Sequence, residues 1–305
     1  MKTDYDFSSG DILKIAGDIA SKIWTKVLVV QVLTWIAMVI VLIPIIVYIM
    51  GFNLQSLITM MSAPIQERMN MAPMMMMGLG ASLGRMILGG LLIIFLMWCI
   101  GSWAYNTMFI LSDNTVKDVD EPLGNVMKEG SDNRVIRLVV ANLLLGLIFL
   151  LVYIVGSLVV GSVIAITGSG IVAVVLVLAA VFFLFAFFMR YLLVYPAISL
   201  GGKNALEAMS YSMEKIAWNK AFKYALIAFA VALIYGIVLA IIQAVIGMVL
   251  PSSVFSLIFI QLISLVISAF VTAYIVGGLT ALYYRESDTF SDDDATEGMG
   301  IDQLV

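Results

Sequence analysis

The chain contains no histidine, a single cysteine and six prolines among 305 residues, and only 12% of its residues are charged. Without histidine there can be no His-based catalytic triad and no HExxH zinc site. One cysteine excludes an intrachain disulfide and dithiol redox chemistry. Scarce charge, with a net charge of −4, excludes a nucleic-acid-binding surface as the main feature of the molecule. GxGxxG, P-loop and GxSxG signatures are also missing, so the residues offer no phosphate cradle and no nucleophile elbow.

What is present is apolar. Hydrophobic residues make up 63% of the chain and the mean hydropathy is +1.10. A soluble domain is about 45–50% apolar and about 25% charged. A water-soluble fold of this length could not hide so much apolar surface. The sequence therefore predicts an all-α, polytopic bundle of six transmembrane helices. Uncharged runs of about 20 residues can cross a bilayer, and spans are expected at about 27–50, 86–111, 138–166, 171–198 (uncharged to Met189, then extending past Arg190), 224–250 and 254–284. Residues 1–284 are expected to form one transmembrane domain and 285–305 a flexible acidic tail. The short alternating segments of a β-barrel are absent. The first 26 residues mix lysines with aspartates and lack the apolar core of a cleavable leader. The first span is expected to stay.

Orientation follows from lysine and arginine. In the six-span scheme, 14 of the 16 basic residues fall on one side and only Arg68 and Arg85 on the other. Both termini of a multi-pass membrane protein are then expected in the cytoplasm.

A weak threefold pattern recurs on the basic side: a partly basic, amphipathic segment followed by two spans. In the first copy, Ser8 and Asp11 have capping-box spacing, and Ile12, Ile15, Ile19 and Ile23 share a helical face. In the third, Leu206, Met209, Met213 and Ile216 do so. Lys22-Ile23-Trp24-Thr25-Lys26 resembles Lys215-Ile216-Ala217-Trp218-Asn219-Lys220 with one insertion. The middle copy, Asp120 to Arg137, is interrupted by Pro122, Gly124 and Gly130. These segments are expected to be interfacial helices lying under their hairpins, or extensions of the spans that follow.

Between helices already in lipid, small residues permit close approach. Ala228, Ala232, Gly236, Ala240 and Ala244 are each four residues apart, a stripe of about 24 Å. A helix-packing seam is expected there, with Ser264, Ser268 and Thr272 as a facing surface and Ser157 with Gly161 as a second contact. Pro44 should kink the first span. No Asp, Glu or Lys lies deep in a span. Arg190, close before Pro196, can snorkel to the interface, and with Lys203 and Lys220 it is a candidate contact for lipid phosphate. Gln31, Asn106, Asn142, Gln243 and Gln261 are expected either to bond between helices or to line a solute path. Cys99 reads as a small buried hydrophobe. The outer segment 51–85 is rich in methionine, and Met69-Asn70-Met71 has thioether spacing, but neither His nor Cys accompanies it. An outer amphipathic or re-entrant helix bounded by Pro64 and Pro73 is expected instead. The carboxylates between Leu111 and Arg137 lack ligand periodicity and read as a solvated loop. No catalytic residue, metal or cofactor is expected.

From Arg190 the chain reads Arg-Tyr-Leu-Leu-Val-Tyr-Pro196-Ala-Ile-Ser-Leu-Gly201-Gly202-Lys203-Asn204-Ala205-Leu206-Glu-Ala-Met-Ser210. Pro196, Ala197, Ile198, Gly201, Ala205, Leu206 and Ser210, with Ala281-Leu-Tyr-Tyr-Arg285 at the last span, resemble the prokaryotic six-helix membrane family related to the membrane domain of glycerophosphoryl diester phosphodiesterases. The resemblance implies the bundle, not the reaction, because the soluble phosphodiesterase domain has no counterpart here. Three functions fit this inventory. The first is a non-enzymatic scaffold, lipid-associated or assembly component whose partners are membrane lipids and a protein or a second copy of the chain. The second is a permease for a neutral or lipid-like solute. The third is a membrane enzyme using the basic-side carboxylates.

Overall fold

The computed structural model describes residues 5, 7, 11–50, 83–249 and 254–287. Among them there is helix and turn but no strand. The helices are α1 (Ile12–Met50), α2 (Leu83–Val116), α3 (Leu123–Glu129), α4 (Asn133–Thr167), α5 (Gly170–Met189), α6 (Val194–Ser199), α7 (Ala205–Lys215), α8 (Trp218–Val249) and α9 (Val254–Ser287). Six stretches are long and apolar enough to cross a membrane, within α1, α2, α4, α5–α6, α8 and α9. This is the six-span arrangement the apolar runs predict. The Met-rich segment 51–82, the turn 251–253 and the acidic end 288–305 lie outside the described residues.

Two compact units divide the chain: residues 30–104 form one, and 1–29 with 105–305 form the other. The smaller unit holds most of α1 and the first part of α2. Pro44 lies inside α1 and helix continues on both sides of it. Cys99 is half-buried there rather than fully enclosed.

The larger unit is built outward from its basic end. Expected helix signals operate at several ends. Asp11 accepts from the Leu13 N–H at 3.0 Å, so α1 is capped by Asp11, while Ser8 lies outside the described residues. Asp132 caps α4 by accepting from the Arg134 N–H at 2.8 Å. Asn204 and Glu207 form a reciprocal capping box at α7, with bonds of 2.9 and 3.2 Å. Gly168 closes α4 in the left-handed region, φ 61°, and makes the two-residue turn into α5.

The first amphipathic segment is not a separate interfacial helix. It forms the opening turns of α1, because nothing in 12–50 breaks the helix before Met50. Its apolar face is spent on protein: Ile15, Ile19 and Ile23 are buried. The partner is α9. A Cβ at Gly277 would lie 3.1 Å from the Ala16 carbonyl oxygen and 3.1 Å from Ile19 Cβ, and one at Gly278 3.5 Å from Ala16 Cβ. The Tyr274 hydroxyl donates to the Leu13 carbonyl at 3.2 Å. The third amphipathic segment is a separate helix, α7. The residue inserted relative to the first copy marks the difference: helix stops at Ile216, whose φ and ψ are −104° and 85°, and resumes at Trp218. Ala205, Ala208, Met209 and Ile216 are buried, whereas Leu206, assigned to the same apolar face, is exposed. The fourth span is also broken. Helix ends at Met189, turns through Arg190–Leu193 and resumes as α6.

Exposure along the alanine stripe of α8 rises away from its basic end. Ala221 and Ala225 are buried and Ala228 half-buried, while Gly236, Ala240 and Ala244 are exposed. Among the described residues nothing lies within 4 Å of a Cβ placed on Gly236. The side chain of Ala232 is not described. α8 packs against α5 at its basic end, where Phe182 stacks on Phe222 at 5.9 Å and Trp218 on Phe183 at 5.4 Å.

Candidate functional site

The basic end of the larger unit is where polar side chains gather, and arginine organises it. Arg190 follows α5 directly. Its Nε donates to the Ile216 carbonyl at 3.3 Å and its NH2 group to the Met213 carbonyl at 3.0 Å. The guanidinium lies 4.9 Å from the Trp218 ring centre. The last carbonyls of a helix have no intrahelical donor and carry its partial negative charge. A planar fork of N–H groups meets two of them at once. Ser212 locks the same junction from the other direction: its hydroxyl donates to the Arg190 carbonyl at 2.7 Å and accepts from the Leu193 N–H at 3.0 Å.

Arg134 and Arg137 repeat this use. Arg134 donates to the Ser199 carbonyl, the last residue of α6, at 2.8 Å and pairs with Asp132 at 2.9 Å. Arg137 donates to the Gly202 carbonyl. Asn106, fully buried in α2, donates to the Gly130 carbonyl at 3.0 Å and to Asp132 at 3.4 Å. Gly130 is held so tightly that an added Cβ would overlap the Thr107 hydroxyl. At Gly201 a Cβ would overlap the Tyr283 hydroxyl and sit 2.8 Å from the Ala197 carbonyl. Tyr195 donates to Asn142, and Tyr284 donates to Asp113, which also pairs with Lys117 at 2.7 Å.

The three residues considered for lipid phosphate are thus each engaged by protein. Arg190 holds the end of α7, Lys203 lies 5.0 Å from the Tyr211 ring centre, and Lys220 pairs with Glu286 at 2.9 Å. The neutral polar residues of the spans divide similarly. Asn106 bonds to protein through Nδ2 while its Oδ1, among the described residues, is buried without a hydrogen bond, Asn142 bonds to Tyr195, Gln31 is half-buried, Gln261 is exposed, and the side chain of Gln243 is not described.

Among the described residues, two cavities bear on the site. One, of about 180 Å³, opens at the basic end between α1, the end of α2 and α3. Lys22 and Lys26 stand on one side of it, and Asp118, Asp120 and Glu121 on another. Ile23, Leu111 and Val126, all buried, add apolar lining. The other cavity is an apolar groove of about 620 Å³ between α4 and α5, lined among others by Tyr153, Gly156, Gly161, Ala180 and Leu184. Ser157 and Gly161 therefore border an open groove, and a Cβ on Gly161 would meet nothing within 4 Å. Neither cavity was anticipated as a unit. Lys26 and Asp120 stand 94 residues apart, and no spacing signal connects them. Among the described residues no cluster of three or more Cys, Asp or Glu is placed to hold a metal ion. Compared with models of protein families, with curated proteins and with solved structures, the chain matches none.

Proposed function

We propose that this chain is a non-enzymatic membrane protein of a prokaryotic plasma membrane, with both termini cytoplasmic, that works as a lipid-associated scaffold or assembly subunit. The non-enzymatic part rests on the residue inventory, with no histidine and one cysteine. The observation that carries the lipid-associated part is the groove between α4 and α5. Its two flanking spans have mean hydropathies of 2.9 and 3.2, so it opens where the surrounding solvent is hydrocarbon. An apolar void of that size loses dispersion contacts unless a chain fills it. A solute path would instead need converging polar groups, and the groove brings only Tyr153 and Ser157 to an otherwise apolar lining. Kinship with the six-helix family of phosphodiesterase membrane domains belongs to the same proposal.

Mass spectrometry of the intact protein after mild detergent extraction tests this reading. Retained lipid or a stoichiometric protein partner is expected. A chain that emerges bare, and that moves neutral solutes when reconstituted in liposomes, would replace it with the permease reading.

A further inference from the structure

We infer that the cleft between Lys22, Lys26 and the 118–121 segment is a head-group site for a zwitterion that joins a phosphate to a primary ammonium. The inference rests on the lipid-associated reading and names the chemistry recognised.

The position is the first argument. Lys26 immediately precedes the apolar run that begins at Val27, and Leu111 ends the apolar run of the second span. Both residues line the cleft, so it sits at the boundary between hydrocarbon and water, where lipid head groups lie.

Charge complementarity is the second. The cavity presents two ammonium groups and three carboxylates rather than one sign of charge. Each lysine ammonium has three N–H donors. One from Lys22 goes to the Tyr5 hydroxyl at 3.2 Å and one from Lys26 to Asp120 at 3.3 Å, which leaves donors for phosphate oxygens. Asp120 is 99% exposed in that pair, so the bridge is weak and opens readily for a ligand. Glu121 is held by Asn114 through a 3.3 Å bond. A primary ammonium offers N–H groups to these carboxylates; a trimethylammonium does not.

The third argument is the backbone of Asp118. α2 ends in a paired closure, with the Val119 N–H bonded to the Asn114 carbonyl at 2.8 Å and the Asp118 N–H to the Thr115 carbonyl at 3.4 Å. This is a Schellman arrangement, whose left-handed position favours glycine. Asp118 occupies it with φ 53°, the one described non-glycine residue with positive φ. Aspartate tolerates this region better than most residues, and here it places a carboxylate on the cavity where glycine would leave none.

Two substitutions separate binding from folding. Asp118→Gly relieves the backbone and removes the carboxylate. Asp118→Asn removes only the charge, in a residue that also tolerates the left-handed region. The full chain is extracted in mild detergent, given phosphatidylethanolamine, phosphatidylcholine or phosphatidylglycerol, and its lipid adducts are weighed intact. The wild type is expected to retain the ethanolamine lipid about tenfold better than the choline lipid, the effect of roughly one charged hydrogen bond. Both Asp118 variants lose that preference, and Asp118→Gly melts at or above the wild type. Lys22→Ala with Lys26→Ala removes the hold on phosphate for all three lipids. Soluble O-phosphoethanolamine distinguishes the sources: displacement of the lipid shows that the free phosphoamine suffices, and failure to displace shows that the site serves the bilayer lipid. Equal retention of the three lipids by the wild type, or a preference that survives Asp118→Asn, would overturn the head-group site while leaving the lipid-associated reading in place. A chain that binds none of them would remove both.

Discussion

Replacing Arg190 with alanine should destabilise the protein without changing which lipids it carries. The side chain makes two charge-assisted bonds, of 3.0 and 3.3 Å, to the carbonyls of Met213 and Ile216. Hydrogen bonds to charged groups contribute about 1.5–3 kcal/mol each. The longer one belongs at the low end. The stack on Trp218 adds about 0.5–1 kcal/mol at a partly exposed site. Arg190 is half-buried, so water recovers part of the loss, and about 3 kcal/mol is the expected cost. That corresponds to a drop in melting temperature on the order of 5–10 °C. Arg190→Lys keeps the charge but not the fork, and should fall about halfway. Thermal unfolding in detergent, followed by tryptophan fluorescence, reads the change directly, because Trp218 lies against the guanidinium. An alanine variant that melts with the wild type but sheds bound lipid would refute the reasoning and restore Arg190 as a phosphate contact.

Other outcomes follow from the same geometry. Gly277→Leu should abolish the α1–α9 contact and the yield of folded protein, since a Cβ there already meets Ala16 and Ile19 at 3.1 Å; Gly236→Leu should melt like the wild type, and an equal loss in both would show that the α8 stripe is a true seam. Gly130→Ala should cost about 1–3 kcal/mol through overlap with Thr107, and Thr107→Ala in the same chain should return part of it; no loss in chemical denaturation would contradict the close approach. A reporter fused after Val305 should be active only in the cytoplasm, and an extracytoplasmic signal would invert the proposed orientation.

The spans were legible because hydrocarbon imposes a length on apolar runs. The faces of helices were legible too, since Ile15, Ile19 and Ile23 are buried together as their spacing requires. What covers a face was not. The four-residue alanine period in α8 shows which residues share a side, yet among the described residues Gly236, Ala240 and Ala244 are exposed, whereas the unremarkable pair Gly277-Gly278 makes a close contact. A period is a property of one helix; a contact needs the partner's position as well. The same limit explains Arg190. Charge near a span end predicted an interfacial side chain, but its carbonyl partners lie 23 and 26 residues further on, beyond any local pattern. Of the carboxylates between Leu111 and Arg137, Asp118, Asp120 and Glu129 are exposed, as a solvated segment requires, while Asp113 and Asp132 also anchor Lys117, Tyr284 and Arg134.

Lysine and arginine thus divide the basic end between them, although both count equally in setting orientation. The described contacts of Arg134, Arg137 and Arg190 include backbone carbonyls from segments at least 23 residues distant: Ser199, Gly202, Met213 and Ile216. Lys22, Lys26 and Lys117 instead meet hydroxyl or carboxylate side chains, and Lys220 combines its pair with Glu286 with a 3.4 Å bond to the Lys215 carbonyl, five residues away. The division follows from shape and hydration. The ends of α6 and α7 present carbonyls without intrahelical partners, and Ser199 and Ile216 are buried, where leaving a carbonyl unbonded is costly. A guanidinium is weakly hydrated and reaches two acceptors in one plane, while an ammonium keeps its water. So the arginines tie the broken fourth span and α7 to α4 and α5, and Lys22 and Lys26 stay at the cleft, where the proposed head group would compete for them.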